Sequence, residues 1–154
     1  MEGSSPVRNL NQYRAEHLVE DGKHFISIGN FDRAIECFEK ASELHPTAEG
    51  HTYWGWVLGL KGDLDTAIDH CLKAIKLDPN FGNPYNDIGS YLIQKNQLNA
   101  AIHWLEKANK APHYDAKHFP YINLGRIYSV QGEVEKAIEA FNKALDYSPS
   151  HPEI

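Results

Sequence analysis

Two cysteines and one methionine in 154 residues leave little sulfur chemistry to consider. Cys37 and Cys71 are too few and too far apart for a disulfide framework or a cysteine-ligated zinc site, so they read as small apolar core residues. No run approaches the roughly 20 apolar residues that a bilayer crossing needs. The opening Met1-Glu2-Gly3-Ser4-Ser5-Pro6 has neither the basic nor the apolar part of a secretory signal. No block of lysine and arginine offers a face for phosphates, and 15 basic against 21 acidic residues give a net charge of −6. These absences set the first expectations: a soluble, cytoplasmic chain with no membrane and no nucleic acid among its partners.

Catalytic signatures are missing too. There is no glycine-rich phosphate loop after a strand, no Gly-x-Ser-x-Gly and no Cys/His pairing that suggests a nucleophile. Of the nine histidines, His113 and His118 are closest to a ligand pair, but their spacing is not i, i+4 and no third ligand stands near. His17 and His24 lie two helical turns apart, too distant to share an ion. The reading is a non-enzyme with no cofactor and no metal.

What the chain does have is a repeat. The phrases FDRAIECFEKA (31–41), LDTAIDHCLKA (64–74), LNAAIHWLEKA (98–108) and VEKAIEAFNKA (134–144) recur at spacings of 33, 34 and 36 residues. A glycine precedes the first alanine of each phrase by 12 residues: Gly22, Gly55, Gly89 and Gly125. Each unit reads as two helices. In the first, the glycine sits in an i, i+4, i+7 stripe: Leu18/Gly22/Phe25, His51/Gly55/Leu58, Tyr85/Gly89/Leu92 and Tyr121/Gly125/Tyr128. Glycine inside a helix costs roughly 1 kcal/mol against alanine, so its return in every unit implies a partner helix too close for a Cβ. Gly29, Gly62, Asn96 and Gly132 follow seven residues later and suit the left-handed conformation that ends a helix. In the second helix, alanines a heptad apart flank a knob, which is Phe38, Cys71, Leu105 or Phe141. Pro46, Pro79, Pro112 and Pro149 stop that helix. Asn83-Pro84 reads as an N-cap followed by a first-turn proline.

These residues resemble the tetratricopeptide repeat, whose pattern is an aromatic, Leu-Gly, Tyr, then Ala, Phe, Ala and Pro over 34 residues. The fourth copy matches best, with Tyr121, Leu124-Gly125, Tyr128, Ala137, Phe141, Ala144 and Pro149 in register. Asp21 replaces the usual Leu of the first copy, His51 takes the aromatic place of the second, and two extra residues enter around His113-Tyr114-Asp115. The resemblance covers about residues 15–150. It implies an all-α fold, a right-handed α-solenoid of four helix-turn-helix repeats (about 15–47, 48–81, 82–117 and 118–151) in one domain, 15–151. Residues 1–14 are an N-terminal extension that prolongs the first helix from Pro6, with Ser5 as its N-cap.

The resemblance also implies a function. A solenoid of this kind presents a concave groove lined by its first helices and holds a peptide segment or helix of a partner protein there. The groove positions fall on Lys23, Tyr53, Trp56, Asn86, Asp87, Ser90, Asn123 and Arg126, with Val19, Glu20, Ser27, Leu60, Gln94, Ile122 and Val130 beside them. The amides suit a ligand's peptide groups, Lys23 and Arg126 suit carboxylates, and Tyr53 with Trp56 suits a desolvated anchor. Co-chaperones of the family clamp a C-terminal carboxylate with two lysines, two asparagines and an arginine. The matching places here read Val19, Lys23, Tyr53, Asn83 and Asp87, or Thr52, Trp56, Asp87, Phe119 and Asn123, and neither set makes that clamp. The alternative function is a self-assembling scaffold that oligomerises through its repeat ends. It rests on the lack of a capping helix after the fourth unit, where Ile138, Leu145 and Tyr147 leave an apolar end.

Overall fold

The computed structural model describes residues 6–149, which form eight helices in sequence: α1 (Pro6–Ser27), α2 (Phe31–Leu44), α3 (Ala48–Leu60), α4 (Leu64–Leu77), α5 (Asn83–Gln94), α6 (Leu98–Lys110), α7 (His118–Val130) and α8 (Val134–Tyr147). The fold is an all-α helical repeat. The helices gather in two compact units, one ending at Asp78 and the other beginning at Pro79, each of two hairpins. The proposed cap Ser5 and the tail from Ser150 lie outside the described residues.

Each hairpin is fixed by the close approach that the glycine spacing predicts. A Cβ placed on Gly22 would meet the Phe38 ring at 2.5 Å, one on Gly89 would meet Leu105 at 2.5 Å, and one on Gly125 would meet Phe141 at 2.5 Å. At Gly55, where the knob is the small Cys71, the helices come closer still, and a Cβ would stand 2.9 Å from the Ala67 carbonyl oxygen. The alanines that flank the knobs are all buried. Neither Cys37 nor Cys71 forms a disulfide and both are buried, as their reading as core residues requires. Burial pushes the Cys37 thiol up, away from its reactive thiolate.

The turns follow local chemistry. Gly29, Gly62 and Gly132 carry φ of 76°, 88° and 75°, and Asn96, the one non-glycine of the four, carries 57°. Asn30 and Asp63 cap the second helices of unit 1, their side-chain oxygens each accepting a backbone N–H at 3.3 Å, from Arg33 and Thr66. Pro46, Pro79, Pro112 and Pro149 each stand two residues past the last helical one. One detail differs from the sequence reading: Asn83 is the first residue of α5, Gly82 is its N-cap, and no side chain caps that end. The cause is the insertion after α6. Its His113 N–H donates to the Asn80 carbonyl at 3.0 Å, its carbonyl accepts from the Gly82 N–H at 2.9 Å, and Tyr114 packs where a Cβ on Gly82 would lie. The start of α5 is therefore pinned by backbone pairing.

Gly55→Ala is the sharpest test of the hairpin rule, because a methyl there meets backbone. The helix gains about 1 kcal/mol in propensity and loses about 1–3 kcal/mol to overpacking. We expect a net fall in stability by chemical denaturation; a more stable variant would contradict the close approach.

Candidate functional site

In unit 1 the first helices α1 and α3 lie side by side and bring Lys23, Tyr53 and Trp56 together. Lys23 follows the α1 glycine, so its side chain leaves the packed stripe and reaches α3. Its ammonium lies 2.8 Å from Glu20 and also pairs with Glu49, and it stands 4.7 Å from the centre of the Tyr53 ring. Burial works against that charge, but the two carboxylates outweigh it and raise the lysine pKa. Tyr53 also stacks on Phe38, with ring centres 6.4 Å apart. Trp56 meets Tyr53 edge-on at 6.1 Å and remains 43% exposed, with Leu60 exposed one turn further on. A rigid base thus carries an uncovered indole.

In unit 2 the first helices α5 and α7 bring Asn86, Asn123 and Arg126 together. The Asn123 amide donates to Asn86 Oδ1 at 3.2 Å, and the exposed Arg126 guanidinium reaches Asn123 Oδ1 at 3.4 Å. The two asparagines expected to meet a ligand's peptide groups therefore spend one hydrogen bond on each other, and Arg126 spends one on Asn123. Ser90 is half-buried one turn beyond Asn86. Asp87 is half-buried as well, and desolvation pushes its carboxyl up to about 7. Such a group is half-charged near neutral pH, so the repulsion it offers a ligand carboxylate is about half that of an ordinary aspartate.

Two neighbouring assignments are corrected. Val19 is 5% exposed and fills the seam between α1 and α3, where its Cγ2 would touch a Cβ on Gly50 at 3.4 Å. Ile122, three residues before Gly125, is drawn onto the packed side of α7 and is buried. Gln94, Leu60 and Val130 are exposed as expected. Tyr114 escaped the sequence reading: it is buried with Ala108 and Ala111, and the one hint of it was the two-residue lengthening of its repeat. Among the described residues no three His, Cys, Asp or Glu side chains converge in a way that could hold a metal ion.

Tetratricopeptide-repeat models match residues 23–47, 48–81, 70–103 and 120–151. The chain belongs to the tetratricopeptide-repeat family. This is a family of protein-interaction modules. The chain is 29% identical over 130 residues to the mouse BBSome complex member BBS4, covering 82% of this chain and 24% of that protein. It is 32% identical over 124 residues to the human mitochondrial import receptor subunit TOM70, covering 79% of this chain and 20% of that protein. The match thus spans about a quarter or less of these tetratricopeptide-repeat relatives. Among solved structures, MamA superposes with a TM-score of 0.76 at 26% identity, over 88% of this chain and 78% of that one. PilF of Pseudomonas aeruginosa superposes at 0.86 and 22% identity, over 92% of this chain and 64% of that one, which speaks for the fold alone.

The Asp87 carboxyl yields a pH prediction. Its pKa is raised in the folded state, so the unfolded chain releases this proton first and folding is penalised increasingly from about pH 4 to about pH 7. Asp87→Asn should stabilise the protein at pH 8, and the gain should fade as pH falls through 7 toward 4. A gain independent of pH, in urea unfolding at a series of pH values, would contradict this.

Proposed function

We propose that this tetratricopeptide-repeat protein is a non-enzymatic binding module that holds a peptide segment or helix of a partner protein against its first helices. The observation that carries the reading is the exposed Trp56 indole on its braced support of Tyr53, Lys23 and Phe38. An apolar group of that size, held rigid and left uncovered, loses little entropy when covered and removes much apolar area from water, which is the physics of a binding hot spot. Unit 2 supplies the polar counterpart. Its Asn86–Asn123–Arg126 ladder offers amide N–H groups to a ligand's main-chain carbonyls and a guanidinium to a carboxylate. Membership of a family of interaction modules supports the same class.

The test is affinity for a peptide selected from a displayed library against the whole protein. Trp56→Ala should weaken binding at least tenfold, about 1.4 kcal/mol or more, and Arg126→Ala should weaken acidic ligands more than neutral ones, with helix content unchanged by circular dichroism. Selected peptides that bind both variants as well as the parent would overturn the assignment.

One observation favours a second reading, self-assembly through the fourth repeat. On α8, Val134 and Ile138, one turn apart on one face, are 63% and 55% exposed, with Leu145 half-buried on the same face, whereas Tyr147 lies across the helix from Ile138 and stacks on Tyr121 at 5.8 Å. If that face associates, mass by sedimentation rises with concentration and Ile138→Asp abolishes the rise. A constant monomer mass at high concentration would remove this reading.

A further inference from the structure

The core of unit 1 contains a polar cluster that neither the repeat pattern nor the binding walls account for. His51 of α3 and His70 of α4 are 8% and 6% exposed, and their Nδ1 atoms face each other at 3.0 Å. The Trp54 indole covers both rings, stacking on His70 at 4.1 Å and on His51 at 5.8 Å. On its far side His51 Nε2 meets the Ser42 hydroxyl of α2 at 3.3 Å. The cluster therefore ties three helices, α2, α3 and α4, through one chain of hydrogen bonds.

Hydrogen-bond counting restricts what this chain can carry. An Nδ1-to-Nδ1 contact at 3.0 Å holds one proton, so one ring donates and the other accepts. In the neutral arrangement that leaves Ser42 able to donate to His51 Nε2, one ring must keep a bare Nδ1. A proton added at His51 Nε2 turns the Ser42 hydroxyl into the acceptor and is opposed by burial and Lys73 alone, whereas one added at the bare Nδ1 sets two N–H groups face to face unless His51 changes tautomer, and both together cannot be housed. Burial opposes a charge on either ring, whereas the π face of Trp54 favours one on His70. α2 presents a hydroxyl, α3 presents the Trp54 indole, and the charged group facing the pair from α4 is Lys73, whose ammonium repels an imidazolium.

We infer that the Ser42–His51–His70 chain is a proton-sensitive latch: it fastens α3 to α2 and α4 while both imidazoles are neutral, and acidification releases it and loosens unit 1. Desolvation, with smaller contributions from the neighbouring imidazole and Lys73, lowers the His70 pKa to about 4, and desolvation followed by Lys73 lowers that of His51. The sign follows. In the unfolded chain these groups take up protons as pH falls through about 6.5, whereas the folded pair refuses them, so stability is full above that pH and is lost as pH drops toward 4. From His70 alone, the unfolding equilibrium constant should rise about twentyfold between pH 7 and pH 5.

The experiment is urea unfolding of the whole protein at pH 7 and pH 5, beside His70→Asn. Asparagine keeps a donor and an acceptor near the Nδ1 position and takes up no proton. The parent should show the steeper acid destabilisation, and the variant should lose about a twentyfold share of it. Equal pH dependence in parent and variant would overturn the latch. Should His70→Asn fail to fold, nitrogen NMR of the parent with labelled histidine decides independently. Two rings retaining the neutral, singly protonated pattern at pH 5.5, with one Nδ1 proton coupled across to the other ring, support the latch; protonation of all nine rings by that pH overturns it.

Discussion

The structure depends on one contact made four times: a glycine in the middle of a first helix lying against a bulky or backbone atom of the second. Phe38, Leu105 and Phe141 occupy the space a Cβ would take at Gly22, Gly89 and Gly125, and the Ala67 carbonyl does so at Gly55. Each hairpin gives up the helix propensity of an alanine, about 1 kcal/mol, for this approach and recovers more by burying the alanines and knobs of the second helix. The approach also fixes rotation. With the glycine stripe turned toward the second helix, the residues beside it turn away from that contact.

That side carries the residues of the proposed binding walls. In unit 1 it holds an aromatic pair braced by a lysine shared between two carboxylates, and in unit 2 an amide ladder ending in a guanidinium. The contrast is physical. The first wall offers apolar area whose covering releases water, and the second offers directed donors that fix register without adding much net affinity.

Much of this was legible in the sequence because it depends on spacing. The glycines, knobs, left-handed turn residues and terminating prolines occupy fixed columns, and each column has one steric meaning. The pairing of Asn86 with Asn123 was not legible, since it depends on how near α5 and α7 lie, a distance no single repeat encodes. Val19 was misplaced for the same reason, since α1 and α3 pack closely enough to bury an apolar residue that the hairpin alone would leave open, whereas Ile122 was misplaced because it lies on the packed side of α7. The buried Tyr114 and the His51–His70 contact arise where the chain departs from its own repeat, by an insertion and by a histidine in an aromatic place. Those departures were visible in the sequence, but their geometry was not.

Photo-crosslinking with a bound partner tests the central claim most directly. A photoreactive side chain is placed in turn at Trp56 and Arg126 on first helices, and at Glu36 and Glu106, which are exposed on second helices. The account predicts partner adducts from positions 56 and 126 and none from 36 or 106; adducts from the second helices alone would contradict it.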